Sequence, residues 1–138
     1  MCGVISDYAR THRFRFNGGK CGVMLFNAST AERVAADRAQ WVLLGETVKV
    51  VTEYEYLGSV MSMDAGDWRP HVRPLVVRAT RRSNDLAWLC RTGRSMRPRT
   101  AMVLWRAIVR PVLEYGAELW HGAIPANLAD QCEKVQTS

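Results

Sequence analysis

The residues in this chain that are best suited to chemistry are arginines. Eleven of them fall between residues 69 and 110, where Asp85 is the one acid. This segment carries a charge of about +10, and the rest of the chain sums to about −4. The planar guanidinium of Arg offers a fork of donors for phosphate oxygens and for stacking. Such a one-sided segment is typical of nucleic-acid-binding proteins. An acidic protein partner and a solvated helix face are the alternatives.

No other group of side chains indicates an active site. The 13 acids are scattered along the chain, whereas a polymerase or metal-dependent nuclease needs converging carboxylates to hold Mg²⁺. The closest acidic pair, Asp64 and Asp67, is explained by helix capping. None of the 3 histidines has a Ser or Cys at an informative spacing, and the 4 cysteines lack the spacing of a zinc site. We therefore expect neither a metal site nor a bound cofactor in this chain.

The elements that must position these residues change character near residue 63. Before it, hydrophobic spacing and turn residues predict short strands. These elements are, in order, a helix end over 1–11, a strand over 12–16, an Asn-Gly-Gly turn, a strand over 20–26, a connection with one helical turn over 28–40, a hairpin over 41–51, and a third strand region over 54–61 with a bend at Gly58.

After residue 63 the spacing becomes helical. The predicted helices are one from Trp68 to Thr92 with a kink or delayed start at Pro74, one from about Pro98 to Tyr115 with a bend at Pro111, and one from about Pro125 that carries Leu128, Cys132 and Val135 inward. The tryptophans at 68, 88, 105 and 120 recur at packing positions and are predicted as core rather than as base-stacking platforms.

The length and apolar content predict one folded domain, or slightly more. No apolar run reaches the roughly 18 residues that a membrane helix needs. The first residues lack the basic start and apolar stretch of a signal peptide. We therefore expect an intracellular protein, nuclear or cytoplasmic, that is not secreted and has no membrane partner.

Four segments together resemble the reverse transcriptases (RNA-directed DNA polymerases) of non-LTR, LINE-type retrotransposons. FRFNGGKCGVMLF (Phe14–Phe26) resembles their motif D, and TEYEYLGSVM (Thr52–Met61) resembles motif E, in which a Tyr-Leu-Gly turn forms the primer grip. RPVLEYGAELW (Arg110–Trp120) and LADQCEKVQ (Leu128–Gln136) resemble the thumb helices that follow. The four segments occur in the family's order and spacing and cover essentially the whole chain.

The resemblance implies an α+β fold. Residues 1–62 would be the C-terminal part of the palm, with a small antiparallel sheet, and 63–138 would be an all-α three-helix thumb, truncated at its C-terminus. The family's catalytic carboxylates, in motif A and in the Tyr-Ala-Asp-Asp hairpin of motif C, have no counterpart here. The complete family enzyme uses Mg²⁺, but this chain is expected to be inactive by itself, so whether it counts as an enzyme is left open.

The resemblance also assigns residues to roles. Lys20 matches the motif D lysine near the incoming triphosphate; in an isolated fragment a solvent-exposed lysine at a strand end is the favoured alternative. Tyr56, Leu57 and Gly58 match the primer grip, with a plain bend around a buried Tyr as the alternative. The thumb arginines would contact the backbone of the template–primer without reading its sequence. They are Arg78, Arg81, Arg82, Arg91, Arg94, Arg97 and Arg99.

The sequence therefore predicts a reverse-transcriptase fragment that contributes to binding an RNA–DNA or RNA template–primer, with the missing palm half or another chain as a further partner. A stand-alone Arg-rich helical module that binds nucleic acid is the first alternative. An interaction protein that docks an acidic partner is the second.

Overall fold

The computed structural model describes residues 2–92 and 96–137. The chain forms two compact units, Met1–Ala65 and Gly66–Ser138. The predicted boundary, between residues 62 and 63, lies just inside the end of the first unit. The first unit contains all of the strands in the described residues and the second is helical, so the fold class is α+β.

The first unit alternates short helices and short strands. Its elements are α1 (Cys2–Thr11), a 3₁₀ helix (Gly18–Lys20), β1 (Gly22–Val23), α2 (Thr30–Arg38), β2 (Trp41–Leu43), β3 (Glu46–Val50), β4 (Glu53–Tyr56) and β5 (Ser59–Ser62).

Two hairpins form most of the sheet structure in this unit. β2 pairs antiparallel with β3, and β4 pairs antiparallel with β5. Each hairpin closes through a two-residue Leu-Gly turn in which both residues have positive φ: 51° and 87° at Leu44 and Gly45, and 51° and 79° at Leu57 and Gly58. Positive φ at both central residues is the type I′ pattern, whose twist matches that of the flanking strands. The predicted bend at Gly58 is therefore the tip of a complete hairpin.

The strand predicted over 20–26 is shorter than expected, and its pairing is different. Only Gly22–Val23 is extended, and it pairs parallel with β3, Gly22 opposite Lys49 and Val23 opposite Val50. The purely antiparallel sheet that we expected is therefore wrong at β1. Hairpin signals in a sequence identify antiparallel neighbours, whereas a parallel pair needs a crossover connection, which here includes α2.

The strand predicted over residues 12–16 is also wrong. α1 ends in a Schellman motif, in which the Phe14 N–H donates to the Ala9 carbonyl and the Arg13 N–H to the Arg10 carbonyl. Arg13 has a φ of 56° at the position that glycine usually fills. The alternating aromatic residues form a ring cluster instead of a strand face: the Phe14 ring lies 6.0 Å from Tyr8 and 5.1 Å from Phe16.

α2 is longer than the single turn predicted for this stretch. Ser29 accepts a hydrogen bond from the Glu32 N–H, and the Glu32 carboxylate accepts one from the Ser29 N–H. This reciprocal capping box satisfies two N–H groups that the first helical turn would leave without partners. The hydrogen bonds from Ser29 lower the pKa of Glu32.

The second unit consists of helices. They are α3 (Arg69–Thr92), α4 (Pro98–Ile108), α5 (Arg110–Leu113), α6 (Ala117–Trp120) and α7 (Ala126–Thr137). The predicted long helices are present, except that the second is divided into α4 and α5 and that the short α6 was not predicted.

One hydrophobic core holds this unit together. α3 contributes one face to it, and the predicted apolar side of α7 is buried as expected. The residues of the core cluster are Val72, Val76, Ala79, Val109, Leu113, Trp120, Leu128, Cys132 and Val135. All of them lie between residues 72 and 135, so the second unit has a core of its own.

The two internal prolines have different effects. α3 begins at Arg69 and continues through Pro74, so the helix start is not delayed. Near Pro111 the predicted bend is a complete break: α4 ends at Ile108 and α5 begins at Arg110, because proline has no N–H to continue the ladder. Val112 donates to the Val109 carbonyl, and the Ile108 carbonyl accepts a hydrogen bond from the Arg82 guanidinium at 3.1 Å.

The prediction that four tryptophans belong to the core holds for three of them. Trp120 is 5% exposed, and Trp68 and Trp105 pack partly buried against the core cluster. Trp88 is 59% exposed. It lies on the side of α3 opposite the buried face, so its predicted position in the core is wrong.

Candidate nucleic-acid interface

All of the excess positive charge of the chain belongs to the second unit. Residues 66–138 contain 12 Lys and Arg against 6 Asp and Glu, whereas residues 1–65 contain 7 of each, which accounts for the net charge of +6. Because the first unit is electrically balanced, attraction to a polyanion would come from the helical unit. The predicted thumb arginines lie in this unit. The four other arginines of the basic segment, to which no role was assigned, lie in it as well.

The arginines of α3 project from different sides of the helix. The buried face of α3 includes Val72, Val76 and Ala79. At 3.6 residues per turn, Arg81 and Arg91 lie on the side opposite that face, and Arg73 joins them there. All three are exposed, and none forms an ion pair with the described residues. We call Arg73, Arg81 and Arg91 the α3 arginine stripe.

Two other predicted arginines of α3 are engaged within the protein. The Arg82 guanidinium binds the Ile108 carbonyl at the break between α4 and α5, and Arg78 Nε donates to the Pro74 carbonyl at 3.3 Å. Arg82 therefore supports the fold as well as contributing charge. These two side chains lie on the flank of α3 rather than in the α3 arginine stripe, so the structure does not bring the predicted thumb arginines onto one face.

The remaining predicted arginines surround the start of α4. Arg97 is the N-cap residue of this helix, with no side-chain cap, and Arg99 follows in its first turn; both are exposed. No acid lies in that turn. Arg94 falls outside the described residues.

Among the described residues of the second unit, ion pairs engage Arg69 and Arg110. Asp67 accepts from Arg69 at 2.7 Å and also from the Arg69 backbone N–H, and this contact with the Arg69 side chain lowers the pKa of Asp67. Arg110 pairs with Glu114 four residues later at 2.8 Å. Both side chains of the Arg110–Glu114 pair are exposed, so this pair contributes little to stability.

The acids of the C-terminal helices line a separate cleft. Glu114, Glu118 and Glu133 border it together with His121, in a volume of about 770 Å³. Within residues 2–92 and 96–137, no three His, Cys, Asp or Glu side chains are arranged so that they could hold a metal ion.

Lys20 ends a tightly constrained turn in the first unit. The Gly18 N–H donates to Glu46 Oε2 at 2.8 Å, and a Cβ at Gly18 would lie only 2.1 Å from that oxygen, so any other residue here would displace the Glu46 carboxylate. The Lys20 carbonyl accepts a hydrogen bond from the Tyr54 hydroxyl, and the Lys20 side chain is exposed. A solvent-exposed ammonium at this point is compatible both with a lysine that faces a triphosphate and with a plain surface lysine, so both predictions for Lys20 stay open.

The Tyr54 hydroxyl connects this turn with the hairpin that carries the predicted primer-grip residues. Tyr56 ends β4 and shares a strand face with Tyr54, since side chains two residues apart point the same way. Tyr56 and Leu57 are 58% and 76% exposed. The alternative of a bend around a buried Tyr is therefore wrong for Tyr56. The hairpin presents its tip residues to solvent.

The segment Arg110–Trp120, which resembles a thumb helix of the family, has a structural explanation in this chain. Gly116 has a φ of 68°, and just before it the Tyr115 carbonyl accepts from Trp120 Nε1 at 3.0 Å. The same carbonyl lies 3.2 Å from His71 Nε2, which must be the donor because a carbonyl only accepts. Leu113 and Trp120 are buried in the core. The Leu-x-Tyr-Gly-x-x-x-Trp spacing thus fixes a helix break against α3.

The aromatic residue that sequence reasoning missed is Trp88. It is exposed on the same side of α3 as the α3 arginine stripe. Arg81, Arg91 and Trp88 share one side of the helix. A helical wheel centred on the core residues of α3, rather than on all of its apolar residues, places Trp88 on that outer side and would have separated it from the inward tryptophans.

In the part of the chain that the structure describes, no helix combines the length and the apolar content needed to cross a membrane. No protein-family model, curated protein or solved structure matches this chain.

Proposed function

We propose that this chain is a fragment of a LINE-type reverse transcriptase that contributes to binding the template–primer, with a palm remnant in residues 1–62 and a thumb in 63–138. The observation that carries the proposal is the α3 arginine stripe on a unit that holds all of the excess positive charge. The order of the four resembling segments supports the assignment to this family.

The proposed mechanism is positioning by phosphate contacts. Unpaired, exposed guanidinium groups donate to phosphate oxygens and release counterions from the nucleic acid, which makes binding strong at low salt and independent of sequence. The exposed hairpin tip at Tyr56, Leu57 and Gly58 would hold the primer end. The chain supplies no carboxylate set for Mg²⁺ in this proposal, so it binds without polymerising.

A stand-alone nucleic-acid-binding module is the second candidate. It is favoured by one observation: the core cluster of the helical unit lies entirely within residues 72–135, so this unit does not depend on the strands for its interior. Both candidates use the same arginines. They differ in whether the hairpin tip takes part.

The test is fluorescence anisotropy of the full chain with three labelled probes over a salt series: an RNA–DNA primer–template with a recessed 3′ end, single-stranded RNA and blunt duplex DNA. The first candidate predicts tightest binding to the recessed hybrid. It also predicts that Tyr56→Ala weakens binding to this probe while binding to the blunt duplex is unchanged. Equal binding to all three probes would favour the second candidate.

A pair of charge variants tests the contribution of the arginines. Arg81→Gln with Arg91→Gln removes two phosphate contacts, so the slope of log K against log salt should become less steep by about 1.4 to 1.8. Arg15→Gln with Arg38→Gln removes the same charge from the first unit and should leave the slope nearly unchanged. Equal effects of the two double variants, or no binding by the wild-type chain at low salt, would contradict the proposal and leave the acidic protein partner.

A further inference from the structure

Trp88 is a large aromatic side chain that lies outside the core cluster of its unit. It is 59% exposed, and within the described residues its indole makes neither a ring contact nor a hydrogen bond. Trp68, Trp105 and Trp120 take part in the core. More than half of the surface of Trp88 is therefore available to another molecule.

The neighbours of Trp88 on the helix surface are polar, and two of them are donors. Asn84 lies four residues before it and Arg91 three residues after it, spacings that place side chains next to one another. Arg81 lies two turns away, about 10 Å along the helix axis. Asp85, three residues before Trp88, is the one acid of α3. The local charge along this side of the helix is therefore positive.

We propose that Trp88 stacks on an unpaired base of a single-stranded nucleic acid whose flanking phosphates bind Arg81 and Arg91. This inference rests on the proposed function in one respect, that the helical unit binds nucleic acid, and adds the form of the strand that it binds. Aromatic faces that alternate with cations along a surface are the usual means of holding single strands without sequence preference, because every base has a π-face.

The spacing along α3 fits this geometry. Arg81 and Arg91 are ten residues apart, which is about 15 Å along the helix axis. A nucleic-acid strand in a duplex carries a phosphate about every 3.4 Å of axis. At that spacing 15 Å corresponds to about four phosphate steps, so the two guanidinium groups would contact phosphates several nucleotides apart, with the base that lies against Trp88 between them.

Charge favours a nucleic acid over an apolar protein surface as the occupant. Val77 is also exposed on this side of α3, at 61%, so the side has an apolar component. A protein partner would have to neutralise Arg73, Arg81 and Arg91 with acids and also cover the indole. A single strand supplies anions and aromatic faces in one repeating unit.

The test compares Trp88→Ala, Trp88→Phe and the control Val77→Ala in the full chain, with a short single-stranded oligouridylate and a blunt RNA duplex of equal length as probes. Val77→Ala removes exposed apolar area from the same side without removing a ring. We expect Trp88→Ala to weaken binding to the single strand by roughly 5- to 150-fold, the loss of one stacked base. Binding to the duplex should not change.

Two further readouts separate stacking from a structural role. Trp88→Phe keeps a ring and should keep most of the affinity, and it should abolish most of the tryptophan quenching that the wild-type chain shows on binding. Circular dichroism should be the same for all variants, because position 88 is exposed.

If Trp88→Ala binds the single strand as tightly as the wild type does, the stacking inference is overturned and the proposed function is left intact. The same holds if Trp88→Ala weakens binding to the single strand and to the duplex equally. Failure of the wild-type chain to bind either probe would overturn both.

Discussion

Replacing Leu57 by Asn should stabilise the β4–β5 hairpin. Leu57 has a φ of 51° at the first central position of a type I′ turn, a conformation that costs an ordinary L-residue about 1–2 kcal/mol. Asn adopts it with little strain, and Asn-Gly is the preferred sequence for this turn. The gain is offset by lost packing, but Leu57 is 76% exposed.

The magnitude follows from these two terms. Full burial of a Leu side chain contributes about 1.5–3 kcal/mol, and only about a quarter of Leu57 is covered, so its loss costs about 0.4–0.7 kcal/mol. The net expectation is a stabilisation of about 1 kcal/mol. That corresponds to roughly fivefold slower amide exchange in β4 and β5, measured by NMR so that the hairpin is resolved from the other elements.

The second Leu-Gly turn is the matched control. Leu44 has the same φ of 51° but is half-buried, so Leu44→Asn loses more packing and should give a smaller gain, or none, in β2 and β3. If Leu57 also takes part in the primer grip, Leu57→Asn should bind the recessed primer–template more weakly despite its greater stability. Faster exchange of the hairpin amides in Leu57→Asn would refute the strain argument.

Further predictions concern the cap, the helix break, the buried thiol and the two units. Ser29→Ala should cost about 1 kcal/mol because the capping box with Glu32 is lost, and a chemical denaturation series would measure it. Gly116→Ala should cost about 1–2 kcal/mol at a φ of 68°, seen as a lower Tm. Burial raises the pKa of Cys132 above its ordinary 9.0, so the folded state keeps the proton longer than the unfolded chain. The contribution of this thiol to stability should then be fully present below about pH 9 and be lost as the pH rises above it. It is measured as a fall in Tm with pH, and Cys132→Ala should remove part of that fall. Hydrogen exchange should be faster in residues 2–62 than in the helical unit, whose core is larger; equal protection would contradict this.

The sequence predicted features that local signals encode. Gly45 and Gly58 mark the turns, Pro111 marks a change of direction that the structure shows as a helix break, and the spacing of Leu128, Cys132 and Val135 marks the buried side of α7. Each depends on one residue's backbone preference or on a single helix period, both of which can be read directly from the chain.

The errors come from interactions that link distant residues. β1 pairs with β3 across 27 positions, Gly22 with Lys49, and no local pattern specifies such a partner. The alternation at residues 12–16 has the period of a strand, but a helix terminator with Arg13 at positive φ redirects it into a ring cluster. Trp88 was assigned to the core with the other tryptophans, although its position along α3 is opposite the residues that are buried.

The candidate interface was predictable in charge but not in arrangement. Composition located the arginines of the basic segment. It could not show that Arg82 would bind the carbonyl of Ile108 exposed by the break at Pro111, because that contact depends on how α3 packs against α4. Arg82→Gln is therefore a poor probe of nucleic-acid binding, and Arg81→Gln is a cleaner one.

The partition of charge between the units also has a preparative consequence. The three residues at the boundary, Asp64, Ala65 and Gly66, are exposed, so a protease can approach the chain there. A cut at this point would yield one fragment with equal numbers of acids and bases and a second with an excess of 6 positive charges. A cation-exchange column near neutral pH would let the first pass and retain the second. The net charge of the intact chain is therefore divided unequally, and the two units have very different isoelectric points.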